Sequence, residues 1–145
     1  MKPRRYRSGA AAVAIMLAVA CGGESSSQST TGPSPSLNGP WVGTWTYVSA
    51  GLTITDPVTA TTTPYVTQAT TTWQSAGGAT GSFVVTPGAS ISGTFSIQIG
   101  AAGFNCSGTG TLTGTASAAA IAFDVPSISG SICQWSTNNH FDLHR

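Results

Sequence analysis

Chemistry needs side chains that ionise, attack or ligate, and this chain has few of them. The densest group is His140-Phe141-Asp142-Leu143-His144. Residues two apart on a strand share a face, so His140, Asp142 and His144 would line one side, with Phe141 and Leu143 behind them. Two imidazoles and a carboxylate are competent ligands for Zn²⁺ or Cu²⁺. Successive same-face residues rise about 6.5–7 Å apart, however, so chelation by all three would demand a bend. These are weak metal candidates, and a solvated polar face is the simpler expectation. Serines are abundant, yet no Gly-x-Ser-x-Gly elbow presents one as a nucleophile. Acid–base catalysis would fall to Asp56, Asp124 and Asp142, which are far apart in the sequence. The expectation is a non-catalytic protein with no cofactor.

The composition narrows the field further. Of 145 residues, 40% are hydrophobic and only 6% charged, with 18 Gly, 8 Pro and a net charge of +1. Soluble domains ordinarily carry about a quarter charged residues. A nucleic-acid-binding patch, a Lys/Glu-rich coiled coil and a second domain of ordinary size are all excluded.

Lys2, Arg4, Arg5 and Arg7 precede an apolar run from Gly9 to Ala20. That run has the length of a signal-peptide core and falls short of the roughly 20 residues a spanning helix needs. Residues 1–20 therefore read as a signal peptide, which would remove four of the five basic residues and leave Arg145 against four carboxylates. Leu17-Ala18-Val19-Ala20-Cys21 resembles the lipobox of bacterial lipoproteins, which implies lipidation of Cys21 and a membrane anchor. Gly22 and Gly23 differ from the Asp that retains such proteins in the inner membrane, implying the outer membrane, facing the periplasm or the surface. Ala18-Val19-Ala20 is also an A-x-A site, so soluble secretion is the alternative. Cysteine arithmetic bears on the choice: Cys106 and Cys133 can form a disulfide, leaving Cys21 as the odd thiol that a lipid would use. Residues 22–38 are rich in Ser, Gly and Pro, and with Cys21 they form a lipidation site and solvated spacer.

Residues 39–145 show a period of two. Ile91, Phe95, Ile97 and Ile99 alternate with Ser92, Thr94, Ser96 and Gln98, as one dry and one wet strand face require. Trp41, Trp45 and Tyr47 repeat the pattern, as do Ile121, Phe123 and Val125. Turn residues recur about every ten positions, a spacing that joins antiparallel neighbours. Eight strands are expected near 41–49, 66–74, 80–86, 89–99, 108–116, 118–125, 131–137 and 139–144. Stretch 52–65 would be at most an irregular edge strand, because Pro57 and Pro64 argue against a central one. Glycines on the presumed inner face (Gly43, Gly93, Gly110, Gly114) and the lack of charges to protect an edge favour an all-β, up-and-down antiparallel barrel over a β-sandwich.

Asn38-Gly39-Pro40-Trp41-Val42-Gly43-Thr44-Trp45 resembles the opening strand of calycin-type barrels, the lipocalins and avidins, where a Gly-x-Trp closes one barrel end. The resemblance implies barrel-closing roles for Trp41 or Trp45, with Arg145 stacked on the closing ring. Tyr65 and Trp73 lie in or beside the Thr-rich stretch 59–72 and are candidate binding residues for a sugar face or a protein, or else caps of the barrel mouth. Large inward side chains favour a packed lumen. The expected function is thus an envelope interaction module working through its loops, on an envelope protein or a glycan. The alternatives are a carrier of a small apolar or glycan ligand in the barrel mouth, and an enzyme-inhibitor lipoprotein. The oligomeric state is left open.

Overall fold

A computed structural model describes residues 34–101, 104–131 and 133–145. The leader, Cys21 and spacer residues 22–33 lie outside the described residues. Nine strands follow in chain order: β1 (Gly39–Ser49), β2 (Leu52–Thr62), β3 (Ala69–Ser75), β4 (Ala79–Val85), β5 (Ser90–Ala101), β6 (Phe104–Ala116), β7 (Ala120–Val125), β8 (Ser129–Gly130) and β9 (Thr137–His144). The pairing order is β5-β4-β3-β2-β1-β9-β7-β6-β8, and β5 also pairs with β6. The sheet therefore closes into an antiparallel eight-stranded barrel, with β8 added alongside β6. Closure satisfies the backbone groups that a sheet this poor in charge would otherwise expose at two edges.

One of the eight expected strands is exchanged for a stretch expected to be at most an irregular edge. Residues 52–62 form a full stave of the ring, paired with β1 along their whole length and with β3 from Val58 to Thr62. Pro57 is tolerated because of the side its nitrogen faces. Its carbonyl accepts the Ala76 N–H at 2.9 Å, so its nitrogen also points towards β3, at the place where that ladder stops. No inter-strand donor is missing there. Conversely, residues 133–136 form no strand, and Thr137 opens β9. Cys133 is bridged to Cys106 with Cα atoms 6.0 Å apart, and only Ser129 and Gly130 pair with β6. Trp135 packs over the Cα of Gly108, in space that any side chain there would fill.

Alternation sorts the remaining side chains. Trp41, Trp45, Trp73, Phe83, Phe95, Phe123 and Phe141 belong to one buried cluster inside the ring. Phe123 and Phe141 stack at 4.8 Å, Phe83 meets Phe123 at 4.8 Å, and Trp73 stacks on Phe95 at 5.6 Å. Small inner positions make room for these rings. Gly93 faces Val85 on one side and Leu112 on the other, and a Cβ added to it would overlap the Val84 carbonyl oxygen. Gly43 relates to the Asp142 carbonyl in the same way. Gly93→Ala should therefore cost about 2 kcal/mol or more through overpacking against a backbone that cannot yield. Gly100→Ala, whose Cβ meets nothing within 4 Å, should stay within about 0.5 kcal/mol. Urea-denaturation midpoints of the two variants check this contrast.

Candidate functional site

The two barrel ends are built differently. At one end the chain enters and leaves, and that end is corked. Leu37, the lone large aliphatic residue of the spacer, is fully buried beneath the ring. The Trp41 indole N–H is shared between the Leu37 carbonyl at 3.1 Å and the Thr62 hydroxyl at 3.0 Å. Thr62 is in turn bonded to Thr71 at 2.7 Å. The Arg145 guanidinium lies 4.3 Å from the centre of the Trp41 ring and donates to the carbonyls of Ser36 and Asn38. The Tyr65 hydroxyl accepts the Leu37 N–H at 3.0 Å and donates to the Pro35 carbonyl at 3.1 Å. Trp41 is thus the ring that closes this end, and Tyr65 is a clamp on the incoming strap. The packed domain begins several residues before Gly39, within the segment read as spacer.

The opposite end carries the long hairpins. β1 and β2 are joined by a two-residue turn in which Ala50 and Gly51 both have positive φ, 50° and 79°. A turn of that kind matches the twist of its strands and extends the hairpin straight. β3 stops at Ser75, so the tip of this hairpin rises past its neighbour. β5 and β6 pair over twelve residues each and rise on the opposite side of the ring. Leu52 at 68% exposure, and Ile54 and Ile99 at 37% each, stand on these two hairpins. Tyr47 is half-buried between tip and core, stacked on Trp45 with ring centres 4.1 Å apart.

Beneath the tips a network of hydrogen bonds joins the staves. The Trp45 N–H and the Ser136 hydroxyl both donate to the side-chain carbonyl of Asn139, which is buried. The Asn139 amide donates to the carbonyls of Val125 and Ser136. Asp56 accepts the Gly77 N–H at 3.2 Å, and Ser75 accepts the Ala79 N–H at 3.2 Å, which ties down the β3–β4 turn. Two indole N–H groups, those of Trp73 and Trp135, are buried without an acceptor among the described residues. Trp73 itself is 3% exposed, so its ring face is committed to the core and does not offer a stacking platform.

No protein-family model, curated protein or solved structure matches this chain.

The remaining polar candidates sit on the outer wall. Asp124 and His140 face each other across β7 and β9, with 2.7 Å between the Asp124 Oδ1 and the His140 Nδ1. Asp142 and His144 continue along the same outer face, each separated from the next by an inward residue. Among the described residues, no three His, Cys, Asp or Glu side chains are grouped to hold a metal ion. Cys106 and Cys133 are engaged with each other, and Cys21 lies outside the described residues.

The hairpin end also has a titration signature. Burial, with the Asp56 charge adding to it, pushes the Tyr47 phenol above its ordinary range. The neutral form is therefore favoured in the folded barrel. Below about pH 10 the phenol is neutral in both folded and unfolded chains, and its contribution to stability is intact. Above that, the unfolded chain ionises first, so stability falls as pH climbs towards the folded pKa. Melting temperatures measured across the alkaline range should drop less for Tyr47→Phe than for the unaltered protein.

Proposed function

We propose that this is a non-catalytic, envelope-tethered barrel whose hairpin end binds a protein partner. Export is supported by the Cys106–Cys133 disulfide, a bond that persists in oxidising compartments. The lipobox-like Leu17-Ala18-Val19-Ala20-Cys21 supports an outer-membrane lipid anchor on Cys21. The Arg145 guanidinium over the Gly39-Pro40-Trp41 ring supports kinship with calycin-type barrels. In this reading the Ser/Gly/Pro-rich spacer tethers the barrel to the bilayer without fixing its orientation.

The observation that carries the reading is where apolar surface lies. The lumen is filled by its own rings, whereas Leu52 and Ile54 on one hairpin and Ile99 on the other are exposed at the hairpin end, with Val42 and Val66 the exposed large aliphatics towards the corked end. Exposed aliphatics gathered on rigid hairpins suit a protein surface better than a small solute. An enzyme would be one such partner, and the barrel then its inhibitor. Photo-crosslinkers placed at Leu52 and Ile99 in cells should give a discrete adduct, whereas one at Thr111 on the outer wall should not. Cys21→Ser should move the protein from the membrane to the soluble fraction. Equal labelling at all three positions would sink the hairpin-end assignment.

A second reading is carriage of a small acceptor-bearing ligand in the mouth, and the unpartnered N–H of Trp135 favours it. Buried donors left unpaired cost about 1–3 kcal/mol each, which a bound acceptor would relieve. That reading predicts saturable, stoichiometric quenching of tryptophan fluorescence by a small apolar or glycan ligand. The protein-partner reading predicts none.

A further inference from the structure

One stretch of backbone in the closed barrel has no neighbour. β2 runs alongside β1 from Leu52 onward, but β3 joins it only at Val58. The direction of its free groups follows from two observations. The two-residue turn makes Ser49 and Leu52 a hydrogen-bonded pair, so Leu52, Ile54 and Asp56 turn their backbone groups to β1. The Pro57 carbonyl bonds Ala76 on the other side, as the same alternation requires. Thr53 and Thr55 therefore point their N–H and C=O groups away from β1. Among the described residues, none of those four groups has a backbone partner.

Natural sheets usually guard such an edge with Lys, an interior Pro or a bulge. Leu52-Thr53-Ile54-Thr55 has none of these, and the one charge beyond it, Asp56, is bonded to Gly77. The edge is also self-complementary. Antiparallel pairing of two copies about a two-fold at Ile54 sets Thr53 against Thr55 of the other copy, and Thr55 against Thr53. Both are hydrogen-bonded pairs, so all four outward groups on each edge are used. Ile54 then meets Ile54 as the close, non-hydrogen-bonded pair. On the same face Tyr47 lies directly across from Ile54 within each copy. The result is one row of Tyr47, Ile54, Ile54 and Tyr47 across four strands; in the single chain Tyr47 is half-buried and Ile54 exposed.

We infer that a second copy of this chain pairs edge to edge along Thr53–Thr55, making an isologous dimer through β2. The two-fold inverts one barrel relative to the other, so the corked ends point in opposite directions. The inference names a partner for one side of the hairpin end and rests on that end being a binding surface.

Sedimentation velocity on the purified exported chain tests it, over about 1 to 100 µM, the range expected for a modest interface. The unaltered protein should dimerise. Thr55→Pro removes an outward N–H that the barrel does not use, and should weaken the dimer by at least about tenfold, the loss of some 1.4 kcal/mol. Ile54→Cys should form a disulfide-linked dimer under mild oxidation where the unaltered protein forms none. Should Thr55→Pro lose its strand circular dichroism, Ile54→Lys replaces it, since it adds charge at the edge at a residue outside the buried core cluster. A monomer throughout, without the Ile54→Cys crosslink, overturns the pairing, and so does a dimer indifferent to both edge variants. A monomer that keeps the Leu52 and Ile99 photo-adducts overturns the pairing alone; loss of those adducts as well overturns the hairpin-end reading with it.

Discussion

An eight-stranded ring encloses just enough space for its own side chains, and that limit governs the rest of this molecule. Seven large aromatic rings point inward, more than a ring of uniform staves would hold. Glycines at Gly43, Gly81, Gly93 and Gly114 let neighbouring backbones or rings approach where a Cβ would overlap them. Bulk on one stave is thus matched by absence on the next. The lumen is consequently occupied by its own side chains. The same rings that stabilise the fold fill the ring's interior, and Leu52, Ile54 and Ile99 stand exposed where the hairpins outrun it, while Val42 and Val66 are exposed towards the corked end.

Scarcity of charge acts in the same direction. With so few ionic groups, the outer wall is wetted by Thr and Ser hydroxyls, and closure of the sheet guards its edges. The β5–β6 hairpin is shielded along β6 by β8 and by Ser131, which bonds the Ser107 backbone. The β1–β2 hairpin has β9 on one side and no equivalent on the other. The two projecting hairpins therefore differ in kind. One offers side chains; the other offers side chains and backbone.

Much of this was legible in the sequence. Strict alternation from Ile91 to Ile99 defines a strand without outside help, because only a period of two sorts those residues by polarity. The inner glycines and the Cys106–Cys133 bridge followed from parity and elimination, and the Gly39-Pro40-Trp41 motif with Arg145 pointed to the closing pair. Other features depend on information that no local pattern holds. Pro57 is harmless in a ring stave because its nitrogen faces a ladder that has already ended, and only the register reveals that. Residues 131–137 look like a strand but are drawn away by Cys133 and by the bare surface of Gly108. Leu37 has no periodic neighbours among Ser and Pro, so its burial left no trace. Trp73 sits in a polar-looking Thr run because Thr70, Thr72 and Gln74 face outward, while its nearest inward neighbours, Thr71 and Ser75, are themselves hydroxyl residues. For the candidate site, Tyr65 and Trp73 stood out as aromatics among hydroxyls. The exposed aliphatics Leu52 and Ile54 sat in a stretch discounted for its prolines.

The strap at the corked end has a mechanical consequence. Any tension transmitted along the chain from its N-terminal side reaches Pro35 to Asn38 before it reaches β1. The first links to bear that load are the Arg145 and Tyr65 hydrogen bonds to the strap, together with the seating of Leu37. These yield one after another, like a zip, whereas the long β1 ladders on either side would have to shear all at once. A pulled domain would therefore uncork before it unravelled, exposing the Trp41 face of the lumen while the staves stayed joined.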